Sequence, residues 1–469
     1  SLRKNSTSDD KVYGVDGKIT SFIDDKDGDG IIETGDKVWI FFGLRRGGTS
    51  YYAMDISDPD SPRLMWHINA DTADFGELGQ SWSQPKVGYS KLNIVSGTAK
   101  PVLFFGGGYD TSKDNVGVVD AVDNVGRAIY MVDAETGTLK WSMAPANATT
   151  TFSGDHSIPS SIATLDSDAD GLVDRLYAGD TGGNVWRVDM PSDSPTGDKA
   201  WSVFKLADLG GDTGATDRRF FDEPSIVRTF ITETIESQIT DADGNTSTVT
   251  VHQEIPYDAV LLGSGNRSNP LGTTTDDVFF MIKDKNITTQ TFTSSSTPPT
   301  PSAITKSDLY DFTNDPFGTV SAEGRQALSV NVSKKSGWFF DLEQDGEKST
   351  SSAIVINNTV YFTTFTPPNL AREQVSCELP NGQGWLYGVD LALGIKKFNW
   401  AAEDSKNRED RIAFISEQFL GSPTLIVLPD NPDDPKSKST GNLIVGRQIV
   451  SVGFNMQTMR TYLYVTEDQ

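Results

Sequence analysis

The chain has 469 residues and a net charge of −25, a balance that excludes the basic surface on which nucleic-acid phosphates are held. Its single cysteine, Cys377, excludes an intrachain disulfide or a cysteine-built zinc site, and three scattered histidines (His67, His156, His252) exclude a histidine-rich metal cluster. With no run of about 20 apolar residues and no signal peptide at Ser1-Leu2-Arg3-Lys4, the sequence reads as a soluble fragment, not an integral membrane protein.

Glycine and turn residues punctuate short aromatic and β-branched runs along almost the whole chain, the pattern of an all-β protein. The first motif is DKDGDGIIETGD, residues 25–36. Asp25, Asp27 and Asp29 hold positions one, three and five of a twelve-residue calcium-loop pattern, and Gly30 holds six. The Ile31 carbonyl stands at seven, Glu33 at nine and Asp36 at twelve, where the shorter acid gives a less certain two-oxygen closure than the usual Glu.

GGTSYYAMDISDPDSPRLMW (47–66) then introduces a phrase made of an aromatic strand, an Asp, a turn and a tryptophan on the next strand. It returns at 126–141 (GRAIYMVDAETGTLKW), 182–190 (GGNVWRVDM), 276–284 (DDVFFMIKD) and 384–400 (GWLYGVDLALGIKKFNW), and more faintly at 459–467 (MRTYLYVTE). The strands ahead of the phrase also rhyme: PVLFFGGGYD, DRLYAGD, DAVLLGSGN and NTVYFTTF. Such repeats, about 55 to 105 residues apart, predict a modified β-propeller with long loop insertions, a single domain over 1–469. Seven blades is the central expectation within a range of six to eight.

Between two of these repeats lies DSDADGLVD, 166–174. Asp166, Asp168, Asp170, the Leu172 carbonyl and Asp174 occupy positions one, three, five, seven and nine, with Gly171 at the sharp turn. Carboxylates about 5 Å apart repel by roughly 1 to 3 kcal/mol per pair, a cost that Ca2+ removes. Magnesium, which demands a tighter octahedron and retains water, fits less well. Position twelve is Tyr177, so another carboxylate or water must complete the shell. The flanking SIATL and RLYAGD predict that this loop tips a β-hairpin instead of joining two helices.

TDADGNTS (240–247) reads most simply as a hairpin turn, a role that accounts for Asp241 and Asp243 without a metal, while 286–306 and 429–441 read as flexible Ser/Thr/Pro-rich or charged loops. FGGGYD (105–110) lacks the Gly-Lys-Ser/Thr ending of a phosphate loop, and LLGSGNRSNPLG fails the dinucleotide fingerprint. No local signature gathers a catalytic Ser, His and Asp, so the chain does not read as an enzyme.

With the repeats and the acidic loop in hand, the chain resembles the C-terminal propeller of the PilC/PilY family of type IV pilus biogenesis and tip-associated proteins. GGTSYYAMDISDP, VLFFGGGYDT, AIYMVDAETGTLKW and, most specifically, DSDADGLVDRLYAGDTGGNVWRVDM carry the resemblance in order, followed by GWFFDLEQDGEKSTSSAIVINNTVYFTTFTPP. The resemblance implies calcium ligands at Asp166, Asp168, Asp170, the Leu172 carbonyl and Asp174; the site at 25–36 rests on spacing alone. It also implies a secreted or surface protein acting with minor pilins or the pilus tip, with a host or abiotic surface as a further ligand. Pilus extension, adhesion and twitching are the expected roles, with calcium occupancy opposing retraction. AIYMVDAETGTLKW also looks like the tryptophan-docking repeat of quinoprotein dehydrogenases, but the phrase is clean once and one cysteine cannot form a vicinal pair. A non-catalytic envelope scaffold is the remaining alternative.

Overall fold

A computed structural model describes residues 13–115, 119–240, 246–317, 320–368, 381–398, 400, 410–428 and 439–456. Their strands form six sheets in chain order, each built on three or four antiparallel strands, with short strands added at some edges. The first sheet comprises Ile19–Asp24, Lys37–Gly43, Tyr51–Asp55 and Arg63–Ile68, and the second Lys86–Val95, Thr98–Gly106, Ile129–Asp133 and Leu139–Ala144. Ala163–Leu165, Arg175–Gly179, Asn184–Asp189 and Ser202–Asp208 make the third. The fourth comprises Ser225–Thr240, Thr246–Gly263, Val278–Asp284 and Gly337–Asp341. In the fifth, Thr359–Thr366, Gln383–Asp390 and Ile412–Ser416 follow Lys348–Ser349 and Ile354–Ile356, and Thr424–Leu428, Ser439–Val445 and Gln448–Met456 form the sixth. The recurring aromatic phrase is the third strand in each of the first five sheets, and the rhyming strands before it are the second.

These strands are apolar on both faces because they are buried on both faces. In Thr98–Gly106, Leu103 and Phe105 pack toward the first sheet with Trp39 and Tyr51, while Val102 and Phe104 pack toward the third with Leu176 and Ala178. The same alternation continues around the molecule. Phe280 faces the third sheet and Phe279 the fifth, where Phe279 stacks on Phe362 with ring centroids 3.8 Å apart. Tyr361 and Leu386 carry the packing on to Leu443 and Val445 of the sixth sheet. Period-two side chains on stacked, twisted sheets thus produce successive apolar layers, each shared by two neighbours. First strands of neighbouring sheets approach one another from the first sheet to the fourth, the arrangement of propeller blades about an axis.

The recurring Asp of the phrase caps the turn that follows it. Asp133 Oδ1 accepts from the N–H of Glu135 and Thr136 at 3.1 and 2.9 Å, and Asp390 Oδ1 does the same for Ala392 and Leu393 at 2.9 and 3.0 Å. Its recurrence reflects turn chemistry.

Ser225–Thr240 and Thr246–Gly263 pair from Ser225↔Leu261 to Thr240↔Thr246, as expected for a hairpin about 240–247; Asp241 and Asp243 lie outside the described residues. Because the next strand pairs only with Asp258–Gly263, the rest of this ribbon projects beyond its sheet. Segment 286–306 is irregular up to the short strand Ile304–Thr305, and within it Phe292 is buried against Phe204 at 5.1 Å. Residues 429–438, the faint repeat at 459–467 and Cys377 lie outside the described residues. One α-helix, Ala322–Lys334, occurs among the described residues, and none of their helices is long and apolar enough to cross a membrane.

Candidate metal centres

Both acidic loops join the first and second strands of their sheets, so identical strand order brings them out on one face of the molecule. Leu165 pairs with Arg175 across the base of the 166–174 loop, which therefore tips a β-hairpin, as its flanks predict. Oxygens of Asp166, Asp168 and Asp174 lie within 4.8 Å of one another. The loop is wound around its own backbone: Gly171 N–H donates to Asp166 Oδ2 at 2.8 Å, and Asp170 N–H lies 3.2 Å from both Asp166 Oδ1 and Asp168 Oδ1. Gly171 takes φ +84°, a left-handed conformation that a glycine adopts without strain. Asp170 accepts the Leu172 N–H at 2.8 Å and stands outside the cluster of three, so the loop brings together three of its four carboxylates.

Asp174 is the buried member, 2% exposed. Ser167 donates to its Oδ2 from N–H and Oγ at 2.9 and 2.8 Å, and Lys91 Nζ lies 3.1 Å from its Oδ1. Burial pushes the Asp174 carboxyl up, but the Ser167 bonds and the Lys91 charge outweigh it and hold the group below the usual carboxylate range.

The 25–36 loop gathers Asp25, Asp27 and Asp29 within the same 4.8 Å. Asp25 accepts from the N–H groups of Gly30 and Gly28 at 2.8 Å each, and these bonds, Gly30 first, hold its pKa down. Ile31 N–H donates to Asp29 Oδ1 at 2.7 Å. Asp36 and Glu33 stand apart from the cluster: Asp36 accepts from the N–H groups of Lys26 and Glu33 at 3.2 and 3.0 Å, closing the loop through backbone. At both loops the donor set is all oxygen, in clusters small enough for a cation that takes six to eight oxygens at about 2.3–2.6 Å. Calcium fits these groups, with carbonyls and water to complete each shell.

Sequence spacing could not find what surrounds the 166–174 loop, because it comes from distant strands. Arg228, on the first strand of the fourth sheet opposite Asp258, donates from Nη1 to the Ser167 carbonyl at 3.3 Å and from Nε to Asp258 at 2.9 Å. Ser167 Oγ lies 3.0 Å from Thr289 Oγ1, which accepts from Arg175 Nε at 2.8 Å. Arg175 pairs with Asp258 at 2.7 Å, both side chains wholly buried. The acidic loop therefore rests on a charged seam between the third and fourth sheets.

The family model described as the PilY1 beta-propeller domain matches residues 4–252. A type IV pilus biogenesis factor PilY1 homolog from Xylella fastidiosa is 24% identical over 412 residues, covering 81% of this chain and 23% of that protein. The type IV pilus biogenesis factor PilY1 of Pseudomonas aeruginosa is 24% identical over 368 residues, covering 75% of this chain and 28% of its own. The chain thus spans about a quarter of the length of these curated relatives. The crystal structure of the Pseudomonas aeruginosa PilY1 C-terminal domain shares the fold, with a TM-score of 0.57 at 18% identity, over 93% of this chain and 84% of that one. With blades, register and family model in agreement, this chain belongs to the PilY1 β-propeller domain family.

Proposed function

We propose that this propeller is the calcium-responsive part of a type IV pilus biogenesis factor. Membership of the PilY1 propeller family supports the pilus role, and the names of its relatives as type IV pilus biogenesis factors agree with it. The observation that carries the calcium reading is the pair of all-oxygen clusters, Asp166/Asp168/Asp174 and Asp25/Asp27/Asp29, at equivalent hairpins on one face. Asp170 and the Leu172 carbonyl would complete the first, and Glu33, Asp36 and the Ile31 carbonyl the second, by modest loop closure.

Calcium supplies positive charge that cancels the repulsion of each loop and fixes its conformation. The chain's own residues do the rest. Ser167 orients Asp174, Gly171 and Gly30 permit the sharp turns, and the hairpin strands hold both loop ends in place. A partner that binds the ordered face better than the disordered one becomes linked to calcium by that difference in affinity. On this reading the partners are minor pilins or the pilus tip, outside the cell, and a host or abiotic surface is a further ligand. Occupied loops favour extension, adhesion and twitching and oppose retraction.

The test has two parts. Calorimetry on the metal-stripped chain should show calcium uptake that loses one component in Asp170→Ala. In a piliated strain carrying that substitution, retraction should then proceed at calcium levels that restrain it in the wild type. Unchanged retraction despite lost binding removes the calcium-to-pilus link, and no heat at millimolar calcium removes the metal sites.

A further inference from the structure

Lys91 is the feature of the 166–174 site that the calcium pattern does not call for. Its Nζ lies 3.1 Å from Asp174 Oδ1 and 3.8 Å from Asp170 Oδ2, with the side chain 22% exposed. It is placed there by a distortion of the second sheet. Along Lys86–Val95 the register with Thr98–Gly106 runs regularly to Tyr89↔Pro101 and resumes only at Ile94↔Ala99, leaving residues 90–93 bulged out of the ladder. The bulge is itself fixed: Asn93 donates to Asp133 Oδ2 at 2.9 Å, and the Tyr89 carbonyl accepts Val173 N–H at 2.8 Å, from the acidic loop itself. A strand that gives up ladder bonds to aim a side chain is a built feature.

The twin loop has no such guest. Among the described residues Asp25, Asp27 and Asp29 make no ion pair, although Lys26 lies in the loop itself. Two loops of one motif, at equivalent hairpins, thus differ in a resident ammonium.

We propose that Lys91 is the built-in counter-cation of the 166–174 loop, holding its carboxylates in the metal-free protein and setting a weaker calcium affinity there by having to be displaced. The inference rests on the calcium reading above. Ammonium and Ca2+ compete for Asp174 Oδ1, and an ammonium left within a few ångströms of a divalent ion repels it, so entry of the metal requires the lysine to swing out. The loop then exchanges one cation for another in place of switching from disordered to ordered, and it responds in a higher calcium range than the 25–36 loop.

The experiment is a calcium titration by calorimetry in an Asp27→Ala background, in which only the 166–174 loop reports, comparing Lys91, Lys91→Gln and Lys91→Arg. Lys91→Gln should bind at least tenfold more tightly, while Lys91→Arg should stay within about threefold of the parent. Without metal, Lys91→Gln should melt at a lower temperature than the parent, and saturating calcium should erase that difference. Equal or weaker binding by Lys91→Gln than by the parent overturns the inference and leaves the calcium reading standing. An absence of heat in all three overturns both. Lys91→Met, isosteric along most of the stem, replaces Lys91→Gln where the latter does not fold.

Discussion

Trp66 Nε1 donates to the Ala134 carbonyl at 2.9 Å, tying the last strand of the first sheet to the turn after the third strand of the second. Gly137, three residues beyond Ala134, lies beneath the indole, where an added Cβ would stand 2.9 Å from the ring. The arrangement recurs between the fourth and fifth sheets. Trp338 Nε1 donates to the Leu391 carbonyl at 2.9 Å, and Gly394 lies three residues on, with its virtual Cβ 3.0 Å from that ring. The tryptophan and glycine of the repeated phrase are therefore two halves of a lock between neighbouring blades.

Breaking either half should have distinct costs. Gly137 and Gly394 take φ of +71° and +61°, so alanine there costs about 1–2 kcal/mol in backbone strain before the indole is displaced. Trp66→Phe keeps most of the packing and leaves the Ala134 carbonyl unpaired, a loss of about 1 kcal/mol. Denaturant midpoints should fall in the order Gly394→Ala below Trp66→Phe below wild type, and an unshifted Gly394→Ala would contradict the lock.

The seam between the third and fourth sheets gives a larger effect. Arg187 Nη1 lies 2.6 Å from Asp284 Oδ2, with both side chains buried, while its Nε and Nη2 grip Asp189 at 2.7 and 2.6 Å. Tyr177 adds its hydroxyl to Asp284 at 3.0 Å. Asp284→Ala leaves a buried guanidinium with one partner fewer and should destabilise the chain by about 3–5 kcal/mol. Asp284→Asn, which still accepts a hydrogen bond, should lose clearly less. Similar unfolding free energies for the two variants would show that the charge of Asp284, and not its capacity to accept a hydrogen bond, is what holds the seam.

Calcium removal should be visible in stability. A ligand that binds only the folded chain stabilises it by about 2.7 kcal/mol when present at a hundred times its Kd. Calcium should therefore raise the melting temperature, Asp27→Ala or Asp168→Ala should each lose part of that rise, and the double variant should lose all of it. Magnesium at equal concentration should do much less. A full response in the double variant would place the metal elsewhere.

Much of this was legible in the sequence because it is local. The five clearest aromatic phrases map one by one onto third strands, and the spacing of Asp166, Asp168 and Asp174 or of Asp25, Asp27 and Asp29 is enough to gather their oxygens. Glu33 and Asp36 lie further from the cluster: the pattern that names them as ligands also allows Asp36 to accept from the backbone N–H groups of Lys26 and Glu33, which spacing alone does not reveal. Lys91, Arg228 and Thr289 were invisible for a different reason. Each reaches the acidic loop from another strand or segment, so only the stacking of blades brings it there.

Asp277 carries a pH signature of its own. It is 1% exposed, and burial pushes its pKa up to about 6, against the opposing pull of the Ser264 hydroxyl at 2.6 Å, Lys348 and Arg218. Between the ordinary aspartate value of 3.8 and 6, the folded chain holds a proton that the unfolded chain has released. Stability contributed by this group must then fall as pH rises through that window, by about 3 kcal/mol in all, and stay level above it. Carboxylates held below 3.8, such as Asp133, act in the opposite sense, losing stability only as pH drops beneath that value. Subtracting the curve of Asp277→Asn isolates the first effect, since the amide cannot titrate and the other groups cancel. The difference in unfolding free energy, wild type minus variant, should decline from pH 4 to pH 6 and flatten above about pH 7. Parallel curves across that range would mean that Asp277 is ionised in the folded chain, held so by Lys348 and Arg218 in spite of its burial.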